Sequence, residues 1–139
     1  MENTPISKES LMESARDAAL KSYSPYSHFR VGAAVLCDDG SIVQGCNVEN
    51  ASYGLTICAE RNAVFATVAL GKRVRSIAVT CIDAPAGSPA TLLNPCGACR
   101  QVLAEFMPDD ALVLIDGVGE RTVGQLIPES FRLASPAAA

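Results

Sequence analysis

Pro95-Cys96-Gly97-Ala98-Cys99 opens a predicted helix and carries two thiols on one side of it. Proline suits the first helical turn, so we expect this helix to run from Pro95 to about Met107. Cysteines three residues apart lie on one face, one turn from each other, and both sulfurs can reach a single cation. A helix N-terminus also favours the thiolate that zinc requires. A redox pair or two packed thiols remain the alternatives for this motif alone.

Cys58-Ala59-Glu60 supplies a third thiol at the start of an almost entirely apolar helix, residues 58–70. Three protein ligands leave the fourth tetrahedral position open to water, which is the pattern of a catalytic zinc site. Glu60 is the candidate general acid and base, although a carboxylate in a first turn can also simply complement the helix dipole. Residues 58 and 60 can share one cavity only if Cys58 lies at the very start of the helix.

Three thiolates around Zn²⁺ would leave a net negative charge and weaken its ability to acidify water. Arg61 and Arg100 each directly follow a cysteine motif. We expect one of them to hydrogen-bond a ligand sulfur and restore the Lewis acidity of the ion. The alternative is that each is an ordinary surface arginine. The other cysteines lack a partner at ligand spacing and are interpreted as packed thiols: Cys37, Cys46 and Cys81.

The rest of the chain alternates helical and strand patterns. We expect helices at 7–22, 58–70 and 95–107, strands at 29–36, 41–48, 75–82 and 111–116, and loops at 49–56 and 83–93. Asp39-Gly40 marks a hairpin, and a weaker strand at 120–123 precedes a short helix ending at 127. This order indicates an α/β protein with three layers, α/β/α, around a central mixed sheet of about five strands. Crossover connections would place the two cysteine-bearing helices on one face, with their N-termini at the same ligand-binding edge.

Length and composition fit one domain over residues 1–139, with flexible segments at 1–6 and 134–139. The net charge of −4, without any basic cluster, disfavours a nucleic-acid partner. The longest apolar runs, 31–36 and 111–115, are too short to cross a bilayer, and the first residues lack the pattern of a signal peptide. We therefore expect a soluble cytoplasmic protein that does not bind membranes.

Taken together, the motifs resemble the zinc-dependent nucleoside deaminases, and most closely the short, homotetrameric cytidine deaminases. The Cys-x-Glu and Pro-Cys-x-x-Cys elements match this class of zinc deaminase. The resemblance covers almost the whole chain through five stretches in the right order: Ser24-Pro-Tyr-Ser-His-Phe-Arg-Val-Gly-Ala-Ala34, Gly45-Cys-Asn-Val-Glu-Asn-Ala51, Ile57-Cys-Ala-Glu-Arg61, Asn94-Pro-Cys-Gly-Ala-Cys-Arg-Gln101 and Leu126-Ile-Pro-Glu-Ser-Phe131. Several motifs in order are far more specific than any one of them.

This resemblance implies hydrolytic deamination of cytidine and deoxycytidine to uridine and deoxyuridine, in pyrimidine salvage. It implies that Cys58, Cys96 and Cys99 bind Zn²⁺ and that Glu60 shuttles protons. The substrate contacts that it implies are Phe29 at the pyrimidine, Asn47 and Glu49 at the ribose 3′-hydroxyl, Ala59, and Tyr53 and Phe131, which would reach the active site of a neighbouring subunit. From the residues alone, Asn47 and Glu49 could equally form a polar turn, and Phe29 could be core. His28, the only histidine, is expected to be structural.

Two other functions stay open at this point. Deaminases of an aminopyrimidine antibiotic such as blasticidin S look similar, although Asn47 and Glu49 favour a ribose-bearing substrate. A zinc-stabilised nucleoside-binding module without catalysis is the alternative from another class. Many relatives have Pro where this chain has Arg30, and Cys or Ala where it has Ser52. No residue in the sequence is an obvious contact for the ribose 2′-position, so the sequence does not rank cytidine against deoxycytidine as a substrate.

Overall fold

The structure is a computed structural model that describes residues 6–133. Its helices are α1 (Lys8–Ala19), α2 (Ala59–Ala69), α3 (Ala90–Leu93), α4 (Gly97–Phe106) and α5 (Val123–Leu126). Its strands are β1 (Val31–Cys37), β2 (Ile42–Cys46), β3 (Val74–Cys81), β4 (Leu112–Ile115) and β5 (Gly119–Thr122), and a 3₁₀ turn spans Tyr53–Leu55. Of the ends expected to be flexible, residues 1–5 and 134–139 lie outside the described range, whereas Ile6 packs against the apolar cluster under α1.

The strands form one mixed sheet in the order β2-β1-β3-β4-β5. The β3–β4 pair is parallel, and the other neighbours are antiparallel. Helix α1 covers one face through a cluster that includes Leu11 and Leu114. The other face carries the larger core, in which Ile77 of the sheet packs with Val64 of α2 and Leu103 of α4. The predicted three-layer fold with a five-stranded mixed sheet is therefore confirmed.

Element boundaries differ from the prediction in helix α1, in strand β1 and in the loop 83–93. Helix α1 stops at Ala19, because the next three residues donate to carbonyls only three positions back and tighten the turn. Strand β1 begins at Val31 and not at Phe29, because His28 adopts a left-handed backbone with φ 58°. The predicted loop 83–93 contains the short helix α3.

Two glycines allow the helices to lie directly on the sheet. A Cβ at Gly32 of β1 would lie 2.9 Å from the Cα of Ala19 and closer still to the carbonyl oxygen of Ala15. A Cβ at Gly45 of β2 would lie 2.7 Å from the carbonyl oxygen of Ala59 and closer to the Ala63 nitrogen. Backbone atoms cannot move aside as a flexible side chain can, so Gly45 fixes the first turn of α2 against the end of β2.

The topology brings the two cysteine-bearing helices to one edge of the sheet. β1 begins beside the end of β3, where Val31 pairs with Cys81, and β4 ends at the same level through the Val79–Ile115 pair. Helix α2 follows β2 and helix α4 follows β3, so both helices begin at this edge. No helix within residues 6–133 is long and apolar enough to cross a membrane.

We expect Gly45→Ala to lower the free energy of unfolding by about 1–3 kcal/mol or more, because the added methyl group collides with the backbone of α2. Urea denaturation followed by circular dichroism measures this change. Gly54→Ala is the matched control, since a Cβ at Gly54 meets nothing within 4 Å. Equal stability of the two variants would contradict the close approach of α2 to β2.

Candidate metal centre

The thiols of Cys58, Cys96 and Cys99 converge at the edge where α2 and α4 begin. The Sγ atoms of Cys58 and Cys96 are 3.9 Å apart, and those of Cys96 and Cys99 are 3.5 Å apart. Tetrahedral Zn²⁺ with Zn–S bonds of about 2.3 Å would separate two sulfurs by about 3.8 Å. The three sulfurs thus fit a zinc ion. No other group of three His, Cys, Asp or Glu side chains within residues 6–133 has comparable geometry.

Two of the three thiols belong to helix N-cap residues. Cys58 precedes α2 and Cys96 precedes α4, and both have an extended backbone with ψ of 157° and 168°. Neither side chain caps its own helix, so each sulfur is free to face the metal while the N–H groups of the first turn point the same way. Because the helix begins only at Ala59, Cys58 and Glu60 can face the same side, as the sequence analysis required.

Glu60 is the buried carboxylate of the site, with only 5 % of its surface exposed. Burial raises its pKa to about 7, and the nearby Cys58 thiolate adds to the effect. A carboxyl group whose pKa lies near neutrality can both accept and release a proton at physiological pH. Its position beside the sulfurs suits proton transfer next to a bound metal.

Arg61 provides positive charge at the sulfurs. Its Nη2 donates to the Sγ of Cys58 over 3.3 Å. A hydrogen bond from the Cys99 thiol, together with the Arg61 guanidinium, lowers the pKa of Cys58 to about 5. The Arg61 Nε is buried and has no hydrogen-bond partner among the described residues. The bond from Nη2 brings the guanidinium charge next to the Cys58 sulfur, and its role in charge compensation stays a prediction.

Arg100 does not share this role, which corrects one part of the sequence-based expectation. Its Nε donates to the carbonyl of Pro95 over 2.7 Å, and its Nη1 donates to the carbonyl of Leu126 over 2.8 Å. Arg61 occupies the third position after its N-cap, from which side chains fold back over the helix start. Arg100 is one position further along its helix and instead ties the start of α4 to the end of α5.

Asn47 follows β2 and is only 8 % exposed. Its Nδ2 donates to the carbonyl of Phe29 over 2.8 Å, and its Oδ1 accepts from the Val31 N–H over 2.9 Å. The Ser22 hydroxyl also donates to Oδ1. Asn47 therefore holds the start of β1, including the main chain of Phe29, against the end of β2.

Glu49 lies two residues beyond Asn47 and is half-buried. Its Oε1 accepts from the N–H groups of Tyr26 and Ser27 over 3.0 and 3.1 Å, and its Oε2 accepts from the Ser27 hydroxyl. The Ser27 hydroxyl, followed by the two N–H groups, lowers the pKa of Glu49. The carboxylate of Glu49 thus follows the buried amide of Asn47 by two residues along the chain, just beyond β2.

The remaining candidate residues divide into buried and exposed positions. Phe29 is half-buried just before β1, and Ala59 is fully buried in the first turn of α2. Tyr53 and Phe131 are 78 % and 67 % exposed. The carbonyl of Phe131 accepts from Gln101 over 2.9 Å, so its backbone is held while its ring projects outward. Both exposed rings are available to another chain.

Cys37, Cys81 and His28 lie outside the cluster of three thiols. All six cysteines are free thiols, and Cys37 is buried. Burial raises the pKa of Cys81 to about 11, as expected for a packed thiol. His28 is exposed and belongs to no potential ligand cluster. Sequence analysis missed Ser22 and Ser27, because serines in a Ser-Pro-rich turn are indistinguishable from ordinary loop residues.

Comparison with known proteins agrees with this geometry. The family model described as the cytidine and deoxycytidylate deaminase zinc-binding region matches residues 5–115. Cytidine deaminase of Mycobacterium tuberculosis is 46 % identical over 123 residues, covering 88 % of each chain. Cytidine deaminase of Halalkalibacterium halodurans is 42 % identical over 91 % of this chain and 95 % of its own.

Solved structures show the same similarity. The crystal structure of cytidine deaminase from Burkholderia pseudomallei is 42 % identical and superposes with a TM-score of 0.79, over 90 % of this chain and 99 % of that one. The crystal structure of the Mycobacterium tuberculosis enzyme is 45 % identical, with a TM-score of 0.78 over 90 % and 97 % of the two chains. The similarity therefore extends over nearly all of the sheet and its helices.

We expect Arg61→Gln to weaken zinc binding by about 10- to 100-fold, because the Cys58 thiolate loses its charged hydrogen-bond donor. Competition with a chromogenic chelator measures the zinc affinity. Arg100→Gln is the comparison variant and should lose less affinity than Arg61→Gln, since Arg100 holds the start of α4 through the carbonyls of Pro95 and Leu126 and donates to no sulfur. Equal losses in both variants would contradict the assignment of charge compensation to Arg61.

Proposed function

The chain belongs to the cytidine and deoxycytidylate deaminase family, and we propose that it hydrolyses the 4-amino group of free cytidine and deoxycytidine. The products are uridine or deoxyuridine and ammonia. The observation that carries this proposal is the convergence of three zinc-ligand thiols with the buried carboxylate of Glu60. The cytidine deaminases that match the chain over about nine-tenths of its length support the choice of substrate.

Cys58, Cys96 and Cys99 would hold the zinc. When bound, the ion supplies a Lewis acid that makes a water molecule acidic enough to lose a proton near neutral pH. Glu60 accepts a proton from the attacking water and delivers it to N3 of the cytosine ring as the water oxygen bonds to C4. Glu60 then takes the proton of the hydroxyl formed at C4 and passes it to the amino group, which leaves as ammonia while C4 becomes a carbonyl carbon. One carboxylate thus acts first as a base and then as an acid.

The sugar and base are held by residues at the start of β1 and the end of β2. We assign Phe29 to the pyrimidine ring, Asn47 and Glu49 to the ribose 3′-hydroxyl, and Ala59 to the base. An amide and an ionised carboxylate together can donate to and accept from one hydroxyl group. These contacts favour a ribose-bearing substrate over an aminopyrimidine antibiotic.

We favour a nucleoside over a nucleotide as the substrate. A cavity of about 360 Å³ adjoins Glu49 and is lined by Tyr26, Ser27, Asn50, Tyr53 and Thr56. None of these side chains is basic, whereas phosphate groups are bound by Arg or Lys. The carboxylate of Glu49 would also repel a phosphate nearby.

We further propose that the chain forms one domain, assembles as a homotetramer with shared active sites, and works in cytoplasmic pyrimidine salvage. Apolar side chains that remain exposed on a single chain support the assembly, since clustered exposed apolar surface marks interfaces. These side chains include Tyr53, Leu55, Phe65, Val68 and Phe131. Tyr53 and Phe131 would then enter the site of a neighbouring subunit.

We expect Glu60→Gln to retain stoichiometric zinc but to lose about 10²- to 10⁴-fold in kcat, because the amide cannot carry a proton between water and the base. Ammonia release from cytidine and atomic absorption of zinc measure the two properties. Substantial turnover in this variant would contradict the role of Glu60 in proton transfer. A wild-type protein that binds cytidine without releasing ammonia would support the non-catalytic binding module instead.

Shared active sites predict complementation between two impaired variants. Glu60→Gln keeps Phe131, and Phe131→Ala keeps Glu60, so mixed assemblies regain sites that have both groups. Co-expressed chains should therefore exceed the sum of the activities of the separate variants. Light scattering should give a mass near four times the 14.5 kDa of one chain. Strictly additive activity or a monomeric mass would contradict shared sites.

A further inference from the structure

Ser22 makes contacts that the proposed reaction does not use. It lies in the tightened turn after α1, where its N–H donates to the carbonyl of Ala19 over 3.1 Å. Its hydroxyl donates to Oδ1 of Asn47 and lies 3.1 Å from the Ser24 hydroxyl. The Ser22 hydroxyl also lies 3.3 Å from the main-chain carbonyl of Asn47, and we assign its single hydrogen to Oδ1, which is the nearest of the three acceptors.

The hydrogen-bonding capacity of Asn47 is almost fully used. Its Oδ1 has two lone pairs, which accept from the Val31 N–H and the Ser22 hydroxyl. Its Nδ2 has two hydrogens, and the carbonyl of Phe29 takes one of them. Asn47 is left with one N–H donor and no free acceptor.

Glu49, in contrast to Asn47, keeps a free hydrogen-bond acceptor. A carboxylate offers about four acceptor positions. The N–H groups of Tyr26 and Ser27 occupy Oε1, and the Ser27 hydroxyl takes one position on Oε2. One acceptor position remains. A free donor on Asn47 and a free acceptor on Glu49 match one sugar hydroxyl, which accepts from the first and donates to the second.

We propose that Ser22 is a positioning residue that fixes this direction of hydrogen bonding by occupying the second lone pair of Asn47. The inference rests on the proposed function, in which Asn47 and Glu49 hold the ribose 3′-hydroxyl. Without the Ser22 hydroxyl, the Val31 N–H and the Phe29 carbonyl still hold the amide, but Oδ1 keeps a buried free lone pair that can take a competing bond from the sugar hydroxyl. Ser22 thereby favours substrates whose 3′-group both accepts and donates a hydrogen bond.

The test compares cytidine with 3′-deoxycytidine, which lacks the hydroxyl in question. We expect Ser22→Ala to raise KM for cytidine by about 2- to 10-fold, the range for one lost hydrogen bond, with little change in kcat. KM for 3′-deoxycytidine should be the same in the variant and in the unmodified protein. Calorimetric binding of uridine and 3′-deoxyuridine gives the same comparison without turnover.

Two further variants provide controls. Ser22→Thr keeps a hydroxyl and should restore KM for cytidine. Ser10→Ala removes an exposed hydroxyl at the other end of α1 and should leave both substrates unaffected. Thermal unfolding of all variants should agree within a few degrees.

The outcomes separate the inference from the function on which it rests. If Ser22→Ala shifts KM equally for both substrates, or for neither, the role of Ser22 is overturned and the sugar contacts of Asn47 and Glu49 are unaffected. An unmodified protein with the same KM for both substrates overturns the assignment of Asn47 and Glu49, and the inference with it. A failure to release ammonia from cytidine overturns the proposed reaction itself.

Discussion

Three sulfurs separated by 3.5 and 3.9 Å have to be held by two helices that are distant in sequence, and this requirement governs the arrangement of the sheet. Cys58 and Cys96 can approach each other only if α2 and α4 begin at the same edge and on the same face. The β2-α2-β3 and β3-α4-β4 connections provide this arrangement. Gly45 then sets the height of α2 above the sheet, because its missing side chain allows the backbone at Ala59 and Ala63 to lie against β2.

Negative charge at this edge is balanced by components that are themselves part of the fold. The three cysteine sulfurs and the carboxylate of Glu60 gather at this edge, and Cys99 and Glu60 are buried there, where uncompensated charge is costly. The N–H groups of two helix N-termini and the guanidinium of Arg61 supply the opposing charge. The sugar-binding end of the site is treated differently, because Glu49 is stabilised by neutral donors from residues 26 and 27.

The sequence was sufficient to predict the sheet, the long helices and the metal ligands, because each depends on local periodicity or spacing. The position of Cys58 at a helix start also followed from requiring it to face the same cavity as Glu60. Other features depend on contacts between distant residues. His28 has a left-handed backbone, and β1 therefore begins only after it. Arg100 donates to the carbonyl of Leu126, 26 residues further along the chain, and not to a sulfur. The contact of Ser22 with Asn47 spans 25 residues and has no local signature.

The most direct test of the account is ammonia release from cytidine by the purified protein before and after zinc removal. Chelation under denaturant-free conditions should abolish turnover, and one equivalent of Zn²⁺ per chain should restore it, because the three thiols then regain the ion that activates water. Turnover that persists in protein shown to be free of zinc would contradict the central claim. So would zinc-loaded protein that releases no ammonia from cytidine or deoxycytidine.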